Sequence, residues 1–457
     1  MVALVTHHFR IHQAVQFFES FTETFSTKYY YFIGKNYASV NAIPTHGTVK
    51  LTGTSNTVVG SGTLFDSELA VGDIVRVTGT SQDLRVHSIT SAQTFVSAIR
   101  PTSTLTIGAN LYVRTLYNDY NPIPPGDSYQ DTYFDIWRNM IAAKRIQSSD
   151  VTHAVARYNW IPGTVYAEYD DRDPILDQKQ FYVVTDVGNV YKCIDNNRGA
   201  ASTVEPSGIT ATDIILTSDN YRWKYMFTLN SARKLKFLTG DYIPVQTLLT
   251  DDSSDQWDVQ SSAANGAIHH VKIIANGANY LSISNTFSSV SSKSSFNLNG
   301  EAQAIDGIYT GSGLFISSGP GIGNIRKIVK YYGSNNYCIV DSEFGVLPTT
   351  SSRYIISPSV EIQGDSSYGS KATAYVSNTF FGQVRKITII NQGDSYSTAN
   401  VTISANSGYG ATARPIISPM GGHGKDAVDE LYATNIIMSV RVAGSEANSF
   451  PTNNDLE

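Results

Sequence analysis

The chain has 457 residues, too many for one hydrophobic core, so about two to four domains are expected. Only 16% of the residues are charged while Gly (35) and Tyr (28) are plentiful, which favours many short strands and tight turns and predicts a mainly β protein. A net charge of -6 without any basic run argues against nucleic acid as a direct partner.

Cys193 and Cys338 are the two cysteines and stand far apart, so neither a disulfide framework nor a cysteine zinc site is expected, and a reducing compartment fits. No window approaches the ~18 uncharged apolar residues of a membrane helix. His7, His8 and Arg10 interrupt the first apolar stretch, unlike a signal peptide. A soluble protein, made and kept inside the cell until assembly, is expected.

In chain order, the first element is a helix. Thr6 is a candidate N-cap, and Ile11, Ala14, Val15, Phe18, Phe21 and Phe25 recur at helical spacing behind it. From 46 to 113 the text changes to short apolar runs, Val49–Leu51, Ile74–Val77, Phe95–Ile99 and Leu111–Val113, with Gly, Asn and Ser between them. It predicts a small β-barrel.

The most informative stretch runs from Phe181 to Val245. FYVVT (181–185) and NVYKCI (189–194) are strands around the turn Asp186-Val187-Gly188. After a polar loop comes DNYRWKYMFT (219–228). Tyr221, Trp223, Tyr225 and Phe227 fall on one face at period two, with Arg222, Lys224, Met226 and Thr228 opposite, which predicts a half-buried strand with an aromatic wall.

Residues 251–265, beginning DDSSDQWD, are polar and acidic and suit a linker. Beyond it, HHVKIIANGANYLSIS (269–284) and QVRKITIINQGDSYSTANVTI (383–403) form an internal repeat of strand, glycine turn and Tyr-x-Ser, within a β-rich region from 266 to 425. Two copies are too few for a solenoid, which needs at least about three stacked units. NIIMSVRVAG (435–444) is the last strand candidate, within a C-terminal segment of 426–457.

The constellations that could carry chemistry read as structural. His8 and His12 share a helical face with no carboxylate beside them, so they and His7 are helix-surface residues. His269 and His270 point to opposite faces of a strand and read as edge or loop residues. His423 in GGHG reads as a chain-reversal turn, since a glycine turn without a P-loop lysine is a weak anion signal. Asp170, Asp171 and Asp173 lack the EF-hand spacing and read as a solvated turn. No GxSxG, HExxH, Walker A or paired-cysteine motif is present, so no catalytic residue, cofactor or metal ligand is assigned and no enzyme is expected.

Taken in order, VYKCID, then EP, the Tyr-x-Trp-x-Tyr strand and YIPV resemble the baseplate wedge subunit of contractile-tailed phages that forms the mid-wedge homodimer. VTHHFRIHQAVQFFESF (5–21) is similar to that family's opening helix and Tyr29–Gly34 to its next strand. DTYFDIWRNMIAAKRI (131–146) and VARYNW (155–160) are similar to its second helix and the strand beyond. These blocks cover about half of the chain.

The resemblance implies an N-terminal α/β core from 1–45 and 114–250, with antiparallel β-sandwich or barrel modules threaded out of it and 46–113 inserted. The core would be completed by 426–457, which sets NIIMSV against it. It also implies a structural virion protein of the tail baseplate, assembled in the host cytoplasm, homodimeric and in contact with other wedge subunits, with no membrane or nucleic-acid partner. Its β-domains would hold neighbours and shift as rigid bodies on contraction. Trp137, Trp160, Tyr221, Trp223 and Tyr225 are then candidate interface or core anchors. The alternative is a carbohydrate-binding or carbohydrate-degrading tail protein, suggested by the aromatic, Ser/Thr/Asn/Gly-rich text of 265–420. Acidic residues are sparse there for a glycosidase pair.

Overall fold

A computed structural model describes residues 6–23, 27–34, 43–80, 82–113, 137, 140–365 and 369–440. The protein is mainly β, with 42% strand and 11% helix arranged as several antiparallel sheets. The described residues group into two compact units, one holding the residues up to Thr27 and Ser148–Ser439, the other lying within Lys28–Gln147.

In the second unit, eight strands between Ile43 and Val113 form one sheet. Alternation along its strands turns Val49, Leu51, Val58, Val75, Val77, Leu84, Val86, Phe95 and Leu111 into one buried cluster, with Phe65 edge-on to Phe95 at 5.1 Å. Tyr30–Gly34 pairs antiparallel with Met140–Arg145. Residues 140–145, expected within a helix, are therefore a strand. MIAAKR is rich in helix formers, but pairing with Tyr30–Gly34 overrides that preference. The rest of that expected helix, 131–136 with 138 and 139, lies outside the described residues.

The first unit opens with the helix His7–Glu19. Thr6 caps it, its hydroxyl accepting the Phe9 N–H, and Ile11 and Ala14 face inward. The helix lies against a three-stranded sheet ordered Tyr242–Val245, Val151–Ala156, Asn435–Met438, so a strand near the end of the described chain pairs beside one that starts at residue 151. A four-stranded sheet follows the order Tyr182–Val184, Asn189–Asp195, Arg222–Thr228, Ile215–Leu216. Ile11, Val155, Val190, Phe227, Ile243 and Val428 meet in one core, which gathers the helix, both sheets and the late segment.

The stretch 251–265, expected as a linker, holds the helix Asp255–Ser262. Ser254 caps it by accepting the Trp257 N–H, and Asp255 and Asp258 sit in the first turn where the helix dipole favours anions. Val259 is fully buried against the aromatic strand.

Residues from Ile268 to Ile417 build the largest sheet. Its repeat is spatial as well as textual. Ile268–Ala278 and Gln383–Asn391 each lead to a left-handed glycine (Gly277, φ 63°; Gly393, φ 62°), a left-handed Asn279 or Ser395, and a buried tyrosine, Tyr280 or Tyr396. Each tyrosine hydroxyl accepts a backbone N–H, from Ala411 at 3.2 Å or Ala372 at 3.0 Å. Each copy then sends a strand, Ile283–Thr286 or Ala399–Ser404, to successive halves of the long strand Arg353–Gly364.

Candidate functional site

The aromatic strand places Tyr221, Trp223 and Tyr225 in the interior, all fully buried. Trp223 stacks on Tyr221 at 5.4 Å and meets the edge of Tyr166 at 5.7 Å, and Tyr225 meets Tyr191 at 5.7 Å. Trp160 is half-buried at the margin of this cluster and donates its indole N–H to Ser202 Oγ at 3.1 Å. Trp137 lies in the other unit and is 58% exposed.

The half-buried expectation for this strand is corrected. Of the residues opposite the aromatic wall, Lys224 and Met226 are buried and Arg222 is half-buried, so the strand is covered on both faces. The wall also ends at Tyr225. Val190 pairs with Phe227 and Tyr191 with Tyr225, so Met226 is an extra residue in a β-bulge and Phe227 joins Met226 in the core of the helix and three-stranded sheet.

The covered face carries charge. Lys192 on Asn189–Asp195 is fully buried and contacts the equally buried Glu430. Glu430 Oε1 also accepts the Gly424 N–H at 2.7 Å and the Asp426 N–H at 3.2 Å, and the Lys192 ammonium lies 4.8 Å above the Tyr169 ring. Burial holds the Lys192 amine below its ordinary value, and Glu430 offsets only part of that. Lys224, next along the face, is pushed down to about 8 by the same desolvation and donates to Ala211 O.

His423 lies in a glycine turn, as expected, and from it the side chain reaches this cluster. It is 2% exposed, with its ring 4.8 Å from Tyr169 and 5.3 Å from His269. Burial, and then the nearby Lys192, hold its imidazole well below the usual range. Gly422 beside it has φ 101°, and a Cβ there would stand 2.5 Å from Ala264 O, so the glycine permits the close approach.

A second cluster lies where the four-stranded sheet meets Ile268–Ala278. The expected turn is present at Asp171 and Arg172, both exposed, but the Asp170 and Asp171 carboxylates are paired rather than free in solvent. Arg414 pairs with both, at 2.9 Å to Asp171 and in contact with Asp170, and Lys272 bridges Asp170 at 3.2 Å and Glu168 at 2.8 Å. Burial raises Asp170, but hydrogen bonds from Arg172, Arg414 and Lys272 outweigh it and leave the carboxyl below its ordinary value. Asp173 pairs with Lys179.

His269 and His270 lie on an edge strand, as expected, since Ile268–Ala278 stands at the end of its sheet order, but neither is a free surface residue. Both lie inside Ile268–Ala278, His269 buried and driven down to about 3 by desolvation. His270 stands between two carboxylates, its Nε2 3.7 Å from Glu168 Oε2 and its Nδ1 3.5 Å from Asp195 Oδ2. This group opens into a cleft of about 490 Å³, whose walls carry Asn197, Arg198, Asn220, Asn378, Arg385 and Lys386.

Sequence reasoning passed over Lys192, Glu430, Glu168, Asp195, Lys272 and Arg414. No local spacing links them: Lys192 and Glu430 are 238 residues apart, and the cluster at the cleft is assembled from a loop and three strands. No family model, no curated protein and no solved structure matches this chain.

Proposed function

We propose that this chain is a structural subunit of the baseplate wedge of a phage contractile tail, assembled in the host cytoplasm as a homodimer that contacts other wedge subunits. The observation that carries the reading is the order of the sequence blocks together with where they lie. Blocks at 5–21, 155–160, 181–194, 219–228 and 240–245 each place a residue in one core: Ile11, Val155, Val190, Phe227 and Ile243.

The path of the chain adds support. Strand Asn435–Met438 pairs with Val151–Ala156, so the β-rich text after Val245 leaves that core and returns to it. A subunit of this kind carries load through packed β-domains and acts by holding neighbours, with no chemical step. Immunogold electron microscopy of virions of the encoding phage, with an antibody to this chain, tests the reading. Label at the baseplate end of a contractile tail is expected. Label on the head or on fibre tips, or its absence from virions, sinks it.

A second reading, glycan binding, is favoured by the cleft beside His270, whose amide and cationic walls suit a hydroxylated ligand with carboxylates. Binding of the full chain to host surface polysaccharide tests it, and no binding removes it.

A further inference from the structure

We propose that Glu168, Asp195 and His270 form a binding site for a divalent transition-metal ion, with Zn²⁺ as its best probe. One ring nitrogen of His270 and one oxygen from each carboxylate lie within 4.8 Å of one another. An ion bound at about 2.1 Å to each of three such donors holds them about 3.4 Å apart in a tetrahedral arrangement. Each carboxylate faces its own ring nitrogen, Glu168 Oε2 at 3.7 Å from Nε2 and Asp195 Oδ2 at 3.5 Å from Nδ1, both longer than an N–H···O hydrogen bond, so an ion on one nitrogen draws the other carboxylate in from within 4.8 Å.

The neighbouring contacts leave the facing atoms to the site. Lys272 takes Glu168 Oε1, and the Asn197 N–H takes Asp195 Oδ1 at 2.9 Å, which turns Glu168 Oε2 and Asp195 Oδ2 toward the ring. The three side chains are 11 to 12% exposed, so the donors are largely desolvated. All three line the cleft, which supplies an entry path and room for water in the remaining coordination positions.

An imidazole nitrogen with two carboxylates suits Zn²⁺ or Mn²⁺ better than Ca²⁺ or Mg²⁺, which favour all-oxygen sites. The charged groups around the site are Lys272, Arg222, Arg198, Arg385 and Lys386, together with Asp170, so the attraction for a cation comes from the Glu168 and Asp195 carboxylates. Lys272 stays satisfied by Asp170 when Glu168 turns to an ion. The three donors come from the segment before Asp170, from strand Asn189–Asp195 and from strand Ile268–Ala278, so a bound ion would tie the four-stranded sheet to the β-rich module.

The test is calorimetric titration of the chelator-stripped full chain with Zn²⁺, repeated on His270→Gln, Glu168→Gln and Asp195→Asn. One high-affinity site is expected, with affinity falling at least about tenfold in each variant and a rise in thermal midpoint on Zn²⁺ addition that the variants lose. Circular dichroism checks that each variant is folded. Co²⁺ gives an independent readout, since visible absorption bands of a bound site should appear in the wild type and vanish in His270→Gln. No Zn²⁺ binding by the wild type overturns the proposal. So does binding that all three folded variants retain, which would place the ion elsewhere, as on His8 and His12.

Discussion

Lys192 and Glu430 meet side chain to side chain with neither reaching solvent, joining a central strand to the helix Ala427–Glu430 that precedes the returning strand. The pair works as a latch for the late segment. Two charges taken out of water are tolerable only together, and Glu430 is further held by two backbone N–H groups. Lys192→Met or Glu430→Gln alone should therefore destabilise the first unit by about 3 to 5 kcal/mol. The double change Lys192→Met with Glu430→Leu should cost far less than the sum. Urea unfolding followed by tryptophan fluorescence checks this, and additive single effects would show that the two charges do not act as a pair.

Trp223 sits at the middle of a strand buried on both faces, stacked on Tyr221. Trp223→Ala should cost about 3 to 5 kcal/mol. Trp223→Phe should cost much less, because the indole N–H has no hydrogen-bond partner to lose. Lys224→Ala should also be felt, since its stem packs inside and its ammonium holds Ala211 O. Denaturation midpoints of the three variants decide it. A silent Trp223→Ala would mean that the aromatic cluster contributes little to stability.

Much of the fold was legible because it depends on local period and turn chemistry. The turn at Asp186-Val187-Gly188 marked Asn189–Asp195, alternation marked Arg222–Thr228, the apolar spacing behind Thr6 marked the first helix, and the paired glycine-tyrosine turns at Gly277 and Gly393 betrayed the repeat. What could not be read depends on tertiary pairing. The bulge at Met226 needs the register of the neighbouring strand, the strand at Met140–Arg145 needs Tyr30–Gly34, and the helix at Asp255–Ser262 hides behind a polar composition. The charged clusters were invisible for the same reason. Each joins residues whose separation in sequence carries no period, and Arg414 reaches Asp170 across 244 positions.

Acid should weaken the first unit through its buried histidines. His153 is buried on Val151–Ala156 and desolvation drives it down to about 4, while His423 is held well below its ordinary value. Both are neutral when folded, and each takes up a proton on unfolding below about pH 6.5. The unfolded state then binds more protons, so this stability is fully present above pH 6.5 and is lost as pH falls toward 4. His153 alone contributes about 3 kcal/mol over that window, at about 1.4 kcal/mol per pH unit. Urea midpoints at pH 7.5, 6 and 5 should fall steadily, and His153→Gln should flatten the slope. A midpoint unchanged between pH 7.5 and 5 would show that these histidines are solvated.

The hairpin between Thr373–Phe380 and Gln383–Asn391 turns through Phe381 and Gly382, with φ of 48° and 72°. Two left-handed residues in a row match the twist of a hairpin, and Asn-Gly is the pair that adopts them most readily. A phenylalanine there is strained, and its side chain, 89% exposed, recovers little by burial. Gly382 must stay, since its φ is 72° and a Cβ on it would stand 2.9 Å from Asn279 N, a closeness set by the Tyr280 N–H bonding to the Gly382 carbonyl at 2.9 Å. Phe381→Asn should therefore stabilise the isolated chain by about 0.5 to 1 kcal/mol, whereas Gly382→Ala should destabilise it. Thermal midpoints of the two variants against the wild type measure both. A loss of stability in Phe381→Asn would mean that the exposed ring is packed in solution, against a second copy or another part of the chain, and a change in sedimentation coefficient would tell those two apart.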